Sequence, residues 1–363
     1  MRVTLIYNSV AGDGAQERLR ALTELARRAG HDGRARSAHD ERLAEFLAEP
    51  ADVVAVAGGD GTIAAIAQLM QGRDTPIAPL PIGTANNIAT ALGLADLSFE
   101  EQIFGWERAR LVRFDIGMAR GPWGSRAFIE GFGVGLLSHA MKAPHRHKQP
   151  DASMAHARLA LREALERLPA VELEASLDGR DCSGRYIAVE AMNIGWIGPN
   201  LKLVARADPG DQHLDVVLAS EAQRDVLREG LAAEENGDAW PRELPAVRGR
   251  RLEIRHSESG MHIDGEVWPA DGCERANGEH INGKRTNGTG RNSERGNGHA
   301  QNGEPIEIGL DREGVCFLAA DGNRRAALRT LVGALRIRAR ARLDRRRSSR
   351  AMRAVAATRR RAP

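Results

Sequence analysis

The chain has 363 residues, of which 42% are hydrophobic and 28% are charged, as in an ordinary soluble protein with room for two domain cores. No apolar stretch approaches the ~20 residues that cross a bilayer, and Met1 leads directly into a strand pattern rather than a signal peptide. The three cysteines, Cys182, Cys273 and Cys316, are widely spaced and odd in number, so neither a disulfide framework nor a CxxC metal site is indicated. We therefore expect a cytoplasmic protein.

The amino-terminal residues predict a strand, a turn and a helix, in that order. Residues 3–7 are typical of a strand, Asn8 and Ser9 begin a turn that contains two glycines, and residues 15–29 have helical spacing. Taken alone, this pattern is only a weak sign of a ligand site.

Residues 53–62, VVAVAGGDGT, predict a buried strand, a loop of the size that holds phosphate groups, and the start of a helix. The three glycines lack Cβ, so they can take positive φ and let phosphate oxygens approach the backbone N–H groups. Asp60 would repel bare phosphate, so it needs Mg²⁺, a water on Mg²⁺ or a substrate hydroxyl as its partner. Thr62 can cap the helix, whose amino-terminal end favours anions. A plain glycine turn is the alternative, but an acid among the glycines favours nucleotide phosphate binding.

A second loop repeats this arrangement within residues 77–87. An apolar run interrupted by prolines is followed by Gly83, Thr84, Asn86 and Asn87, and then by a helical pattern. Two such loops in series suggest that they share one anion. Ordinary helix capping by Thr84 or Asn86 is the alternative.

Further along the chain, Asp264 and Glu266 flank Gly265 in a strand-like segment. If that strand is regular, the two carboxylates share one face of it. Phosphoryl transfer needs a group that takes or orients the proton of the attacking hydroxyl, and either acid can do so. The alternative is a DG turn in a hairpin with two solvated acids. The sequence does not decide which carboxylate takes the proton, and the two can share it.

The second half of the chain is a series of short apolar or alternating runs separated by glycine turns, which predicts a sandwich-like β domain. Residues 127–135 form one such strand, with glycines that we expect to serve close chain packing. The last two runs, residues 306–310 and 315–318, are grouped with the same domain. Between them and the DGE triplet, residues 271–303 are dominated by Asn-Gly repeats and charges, which predicts a disordered insertion.

Residues 321–363 contain 15 arginines and only two acids, so the rest of the chain is acidic although the total net charge is +3. Apolar residues interleaved with the arginines predict an amphipathic helix suited to anionic lipid headgroups. Nucleic acid would attract the same charges, and a disordered solubilising end is a further alternative. We expect peripheral association with the inner face of the membrane and no specific nucleic-acid partner.

Three motifs together resemble the signatures of a known family. GGDGT at residues 58–62, PIGTANN at 81–87 and HIDGEVWP at 262–269 are similar to those of the diacylglycerol kinase catalytic domain in bacterial soluble lipid kinases. Residues 208–219, DPGDQHLDVVLA, are similar to a further segment of that family. GGDGT alone is shared with NAD kinases and with sphingosine and ceramide kinases, so the combination carries the specificity.

The resemblance implies an α/β protein of two domains that uses ATP and Mg²⁺. Residues 1–110 are expected to form a three-layer α/β domain that holds ATP, and residues 111–320 a β-sandwich-like domain that offers the lipid. The reaction in the cleft between them would transfer the γ-phosphate to the hydroxyl of diacylglycerol or a similar lipid alcohol, giving phosphatidic acid from diacylglycerol. The basic residues 321–363 would then face the membrane.

The resemblance also implies particular site residues, and in the peripheral Mg²⁺ site only one of the three would supply a carboxylate, the other two giving carbonyl oxygens. The expected residues are Asn8, Ser9, Gly58, Gly59, Asp60, Gly61, Thr62 and Thr84 for the nucleotide; Asp60, Asp264 and Glu266 for catalysis; and Gln212, Asp215 and Val217 for the peripheral Mg²⁺.

Three departures from the family pattern accompany these expectations. Relatives usually have a proline after the asparagine of the first turn, whereas this chain reads NSVAG, which lacks that rigid residue. Relatives commonly show Asn-Asp where this chain has Asn86 and Asn87, so one anionic partner of the metal is missing and the network must depend more on Asp60. The insertion at 271–303 is the third departure.

Two rival functions remain open at the level of sequence. An NAD kinase shares GGDG, although its dinucleotide needs neither a membrane-seeking tail nor a DGE site. A noncatalytic, nucleotide-responsive membrane-binding protein is the other, motivated by Asn87 and by the unusual first turn. The sequence does not indicate an oligomeric state.

Overall fold

The computed structural model describes residues 1–8, 14–142, 150–236, 244–255, 260–268 and 305–321. Ser9, the predicted insertion at 271–303 and the basic residues 322–363 lie outside the described residues, so the expectations for them stay predictions. Among the described residues, no helix combines the length and apolar character required to span a bilayer.

The first domain is a six-stranded sheet between two layers of helices. Its strand order is β2-β1-β3-β4-β20-β5, in which only β5 runs antiparallel to its neighbour. Its elements are β1 (Arg2–Tyr7), α1 (Ala15–Arg28), β2 (Asp32–Ser37), α2 (Leu43–Ala48), β3 (Val53–Gly58), α3 (Asp60–Leu69), β4 (Ile77–Pro81), α4 (Asn87–Ala91), α5 (Phe99–Gly105), β5 (Arg110–Phe114) and β20 (Val315–Ala319).

Both faces of the central strand β3 are buried, which explains its unbroken apolar sequence. Val54 and Val56 pack in a core with residues of α2, α3 and α4, whereas Val53 and Ala55 pack on the opposite side with residues of α1 and α5. Because successive side chains of a strand point to opposite faces, one strand joins both helix layers. The predicted three-layer α/β domain is confirmed.

The second domain is built from a twelve-stranded antiparallel sheet. One apolar core lies among its strands, and a second lies between the sheet and the helices that cover it. Its elements are β6 (Gly117–Gly121), β7 (Gly124–Phe128), β8 (Gly131–Gly135), α6 (Leu136–Met141), α7 (Pro150–Arg167), β9 (Val171–Leu177), β10 (Arg180–Asp181), β11 (Gly184–Met192), β12 (Trp196–Ile197), β13 (Leu201–Lys202), β14 (Leu214–Ser220), α8 (Arg224–Asn236), β15 (Ala246–Gly249), β16 (Arg251–Arg255), β17 (Met261–Ile263), β18 (Glu266–Trp268) and β19 (Ile306–Leu310); β12 and β13 form a separate hairpin. The predicted sandwich-like domain is confirmed.

The last strand differs from the sequence expectation. β20 lies in the first-domain sheet between β4 and β5, whereas its residues were grouped with the second domain. Phe317 is fully buried there, and its ring lies 4.7 Å from that of Phe114 on β5. A short apolar run fits either core, so the sequence alone could not assign it. Residues 111–114 were also grouped with the second domain, but they belong to β5 in the first-domain sheet. The chain therefore enters the second domain after β5 and returns to the first domain with β20.

A buried polar pair crosses the second-domain sheet above a glycine. His262 on β17 and Glu190 on β11 are both paired with Gly133 on the intervening strand β8. Because Gly133 has no side chain, His262 Nε2 and Glu190 Oε2 meet over it at 2.8 Å, and neither side chain is exposed. A Cβ at position 133 would collide with both.

We expect Gly133→Ala to lower the free energy of unfolding by about 2–4 kcal/mol, because the new methyl group separates two buried polar partners. Chemical denaturation measures this change. The matched control is Gly309→Ala in β19, where a Cβ would meet nothing closer than the Arg250 carbonyl oxygen at 3.4 Å. That control should cost less than about 1 kcal/mol. Equal losses in the two variants would show that the pair does not need the open space.

Candidate functional site

The carboxyl ends of β1, β3 and β4 meet at one edge of the first sheet, as expected for parallel neighbours. Asn8 follows β1, and its Nδ2 donates to Thr62 Oγ1 at 3.2 Å. The two glycine loops touch backbone to backbone: a Cβ on Gly59 would lie 3.1 Å from the Gly83 Cα, and one on Gly83 would lie 2.5 Å from the Gly59 Cα. The structure thus brings Asn8, which begins the first turn, and both predicted phosphate loops together.

The glycines of the first loop serve close approach rather than positive φ. Among the described residues with positive φ, Gly58, Gly59 and Gly61 are absent, so that part of the sequence argument was wrong. A Cβ on Gly58 would crowd Thr62, with its nearest atom at 2.6 Å, and Gly59 abuts the second loop. Gly61 is exposed and has open space around it, which leaves its backbone accessible to a ligand.

The predicted caps are also arranged differently. Helix α3 begins at Asp60, and Thr62 makes no cap but accepts the Asn8 side chain instead. Asn86 takes φ 54°, and its side chain closes the second loop through Gly83 N at 3.0 Å and Gly83 O at 2.9 Å. Thr84 is exposed at the tip of this loop, where its hydroxyl can reach a ligand.

Asp60 joins the two loops. Its Oδ1 accepts the backbone N–H of Ile88 at 3.0 Å, so the carboxylate of one loop receives an amide at the start of helix α4. Burial raises the pKa of Asp60, and the nearby amides of Ile88, Asn87 and Asn86 oppose that rise. Asp60 therefore has protein partners of its own, in addition to any cation that the nucleotide brings.

Asp264 and Glu266 do not share one face of a strand. β17 ends at Ile263 and β18 begins at Glu266, so Asp264 and Gly265 form the two-residue turn of a hairpin. Glu266 is exposed, whereas Asp264 takes φ 50° and turns inward. The structure therefore has the hairpin that was the alternative reading, but only one of its two acids is solvated.

The Asp264 carboxylate is held by backbone amides. Its Oδ1 accepts the N–H groups of Ile129, Glu130 and Gly131 at 3.1, 2.8 and 3.2 Å, and Oδ2 lies 3.1 Å from Ile129 N. Burial nevertheless raises the pKa of Asp264 to about 6, because it outweighs these donors and the neighbouring His262. The geometry holds a carboxyl group that changes charge near neutral pH.

A third acid, Glu130, lies between the other two and was missed by the sequence analysis. It is 4% exposed, and its Oε2 accepts Asn87 Nδ2 at 2.8 Å. Burial, together with the charges of Asp60 and Asp264, raises the pKa of Glu130 well above its ordinary value. The available signal was an acid inside the buried run FIEGFGVG, which we had interpreted only as a site of close packing.

His262 supports the Asp264 turn from within the sheet. Its Nδ1 lies 3.0 Å from the Asp264 carbonyl oxygen, which can only accept, so Nδ1 carries a hydrogen. Burial lowers the pKa of His262, but the charge of Glu190, the hydrogen bond between Glu190 and Nε2, and the contact with Asp264 together outweigh burial, so the pKa is raised. Burial raises the pKa of Glu190 as well, although His262 opposes that rise.

The residues predicted for a peripheral Mg²⁺ lie at the start of β14. Gln212 has φ 59°, and its backbone N–H donates to Asp115 Oδ2 at 2.7 Å. Asp215 lies 3.9 Å from Arg248 Nε, and Val217 is buried in the core beneath the helices. Within the described ranges, no three His, Cys, Asp or Glu side chains are grouped so as to hold a metal ion. The peripheral site remains a prediction.

Two family models match consecutive parts of the chain. Residues 2–119 match the diacylglycerol kinase catalytic domain, and residues 133–275 match the YegS C-terminal NAD kinase beta sandwich-like domain. The chain belongs to the diacylglycerol kinase catalytic-domain family. Asp60 lies within the first match and Asp264 within the second, whereas Glu130 lies between the two matches. Both matched parts of the chain therefore contribute acids to the cluster.

Individual relatives agree with this membership. The chain is 25% identical over 280 residues to a protein named diacylglycerol kinase from Mycobacterium tuberculosis (strain ATCC 25618 / H37Rv), covering 73% of this chain and 88% of that protein. It is 34% identical over 148 residues to a Cronobacter sakazakii protein named "Probable lipid kinase YegS-like", covering 35% and 48% of the two chains.

A solved structure shows the same fold. A crystal structure titled as that of a diacylglycerol kinase from Bacillus anthracis str. Sterne superposes with a TM-score of 0.57 at 14% identity, covering 88% of this chain and 97% of that chain. At this identity the likeness concerns the fold alone.

The site suits a nucleotide with its metal. Mg²⁺ usually keeps several waters and takes only one or two carboxylates besides the phosphates, so it needs no closed group of three protein ligands. The acids offer negative charge at the loops, and Asn87 Oδ1 is a buried oxygen without a hydrogen-bond donor among the described residues. A hydrated cation would supply donors to such an oxygen.

The raised pKa of Asp264 has a consequence for stability. Its ordinary pKa is 3.8 and its folded value is about 6, so the folded protein binds the proton more tightly. Stability from this group is therefore present at low pH and is lost as pH rises from about 4 to about 6. Without nucleotide, Asp264→Asn should remove about 2–3 kcal/mol of that fall, measured as unfolding free energy against pH.

The control for this prediction is Asp178→Asn. Asp178 also has positive φ, at 51°, and accepts backbone N–H groups of Arg250 and Arg251, but it is exposed. This variant should keep the wild-type slope between pH 4 and 6. A slope that is the same in Asp264→Asn and the wild type would contradict the assignment.

Proposed function

We propose that the protein is an ATP-dependent lipid kinase that transfers the γ-phosphate to the hydroxyl of diacylglycerol or a similar lipid alcohol. The observation that carries the proposal is a continuous path between the two domains. Asp60 accepts Ile88 N, the adjacent Asn87 donates to the Glu130 side chain, and Glu130 N donates to Asp264. Three hydrogen bonds thus link the phosphate loop that contains Asp60 to the candidate base Asp264.

The donor side would hold the triphosphate on the glycine loops. Gly61 and Thr84 are exposed there, and the close contact of Gly59 with Gly83 lets one phosphate chain meet both loops. Asn8 fixes Thr62 and so joins the first turn to the same surface. Backbone N–H groups in glycine loops and at helix starts are suited to phosphate oxygens. Bound Mg²⁺ would neutralise phosphate charge beside Asp60.

On the acceptor side, Asp264 suits the task of taking the hydroxyl proton better than Glu266. A general base works best when its pKa lies near the working pH, and the pKa of Asp264 is about 6. Three backbone amides donate to Oδ1, whereas Oδ2 only shares the N–H of Ile129 and is freer to accept the proton. Glu266 is exposed on the next strand and would face the incoming substrate or solvent.

The acceptor class is supported by the names of relatives rather than by a bound molecule. A diacylglycerol kinase and a YegS-like lipid kinase are among the similar proteins. The second-domain match is described as NAD kinase beta sandwich-like, which keeps NAD as the rival acceptor. Phosphate transfer from ATP to diacylglycerol in mixed micelles, compared with transfer to NAD, decides between them. Transfer to neither would overturn the kinase proposal.

In that assay, Asp264→Asn should lower kcat by about 10²–10⁴ with little change in the KM for ATP, because only proton removal is lost. Asp60→Asn should lower kcat and also raise the Mg²⁺ requirement, while its side-chain oxygen can still accept Ile88 N–H. Steady-state kinetics against ATP and Mg²⁺ separate the two effects. The exposed Asp178→Asn serves as the control and should match the wild type.

We also propose that the basic residues near the carboxyl terminus hold the enzyme at an anionic membrane surface. Deleting residues 336–363 removes 12 arginines and should weaken sedimentation with vesicles that contain phosphatidylglycerol, each basic residue contributing up to ~1 kcal/mol. Activity on micellar substrate should survive. Binding that persists at physiological salt after the deletion, or equal binding to neutral phosphatidylcholine vesicles, would contradict this role.

A further inference from the structure

The orientation of the Asn87 side chain is set by its neighbours. Its Nδ2 donates to Glu130 Oε2 at 2.8 Å and to the Gly198 carbonyl oxygen at 3.0 Å. The Gly198 carbonyl can only accept, so the amide nitrogen must face it, and the same nitrogen then donates to Glu130. Asn87 is 2% exposed, and its Oδ1 is left without a partner among the described residues.

Glu130 reaches this amide from the other domain. It lies just before β8, and its backbone is fixed at both ends: its N–H donates to Asp264 Oδ1 at 2.8 Å, and its carbonyl accepts Asn193 N–H at 2.9 Å. Its side chain is therefore directed by a rigid strand end toward the second glycine loop. The buried Glu130 side chain thus crosses from one domain to the other and bonds to one particular amide, that of Asn87, which indicates a specific interaction.

The charges of this region are not balanced by the protein. No lysine or arginine of the described residues forms an ion pair with Asp60, Glu130 or Asp264. The basic group that acts on Asp264 is His262, which is already engaged by Glu190. Burying an ionised acid without a counter-charge is costly, so these carboxyl groups either hold a proton, as their raised pKa values indicate, or pair with a cation from outside the chain.

We propose that Glu130 supplies, from the second-domain side, the carboxylate that the second glycine loop lacks at Asn87. The two residues then form an amide–acid pair beside the nucleotide-bound Mg²⁺. We call it the transposed pair, because the acid lies on the second domain and the amide on the loop, rather than the reverse. The proposal rests on the proposed nucleotide chemistry of the same site. Since the acids form no group that holds an ion directly, the Glu130 charge acts on the hydrated ion through its waters. The unpartnered Asn87 Oδ1 would accept a hydrogen bond from one of these waters.

Transposition can be tested by exchanging the two side chains. Glu130→Gln removes the charge and keeps the shape; Asn87→Asp adds a second acid 2.8 Å from the first; the double variant restores one acid and one amide with their places exchanged. The readout is binding of a nonhydrolysable ATP analogue, measured by calorimetry over a series of Mg²⁺ concentrations. Thermal unfolding without Mg²⁺ or nucleotide reports on folding of each variant.

We expect Glu130→Gln to raise the half-saturating Mg²⁺ concentration by about 10-fold while leaving the metal-free protein at least as stable. Asn87→Asp should lower the melting temperature of the metal-free protein, because two buried carboxylates then face each other. The double variant should return the Mg²⁺ requirement to within about 3-fold of the wild type. Such rescue is non-additive, as expected for groups in contact.

Asn193→Asp provides the matched control. Asn193 is another buried asparagine. Its Nδ2 donates to the backbone carbonyl oxygens of Asp115 and Ile129, and its Oδ1 is unpartnered among the described residues. Its side chain does not bond to that of Glu130, so adding Glu130→Gln should not rescue it. Rescue of both asparagine variants would point to a general relief of charge and would overturn the transposed pair.

The remaining outcomes separate this proposal from the proposed function. An unchanged Mg²⁺ titration in a folded Glu130→Gln protein, or strictly additive effects in the double variant, would overturn the role of Glu130. Lipid phosphorylation by the wild type would then still stand. Conversely, a protein that phosphorylates no lipid alcohol but shows the rescue in nucleotide binding would lose the proposed function and keep the transposed pair.

Discussion

The repulsion between the buried carboxylate of Glu130 and the half-buried carboxylates of Asp60 and Asp264 is the constraint on which the site depends. Asp264 is compensated by backbone amides of residues 129–131, and Asp60 by an amide at the start of α4. Glu130 has only the Asn87 amide on its side chain, so it is the least compensated of the three. The stability of the cluster therefore depends on how well a further group neutralises its negative charge. A nucleotide with its metal is suited to that task.

The fold brings these acids together by two different means. Asp60 lies at the carboxyl end of a buried parallel strand, where neighbouring loops necessarily meet. Asp264 lies in a hairpin turn with a left-handed backbone. The turn is held by the hydrogen bonds that the Asp264 carboxylate accepts from backbone N–H groups, and by the contact of His262 with the Asp264 carbonyl. Gly133 makes room for the His262–Glu190 pair, so a glycine one strand away contributes to the position of the candidate base. Stiffness at the turn thus comes from the sheet rather than from the turn itself.

Local features were predictable from the sequence, and contacts between distant residues were not. The strands and glycine loops around Asp60 and Thr84 follow from patterns that span a few residues. Glu130 was missed because its partners, Asn87 and Asp264, lie 43 and 134 residues away. The same limit applies to β20, whose apolar run fits either core, and to Gly59, whose glycine is required by the opposite loop.

The same burial that poises Asp264 also sets its working range. Below a pH of about 6 its carboxyl group holds a proton and cannot accept another, so base function is confined to higher pH. Above that pH Asp264 adds its negative charge to the cluster, which increases the need for a cation. A divalent ion beside the loops would favour the ionised acids and so release protons from them, since linkage between ion and proton binding is reciprocal. Binding of the nucleotide with its metal would therefore ionise the candidate base Asp264. The acid cluster would then determine the order of the steps as well as contribute to binding.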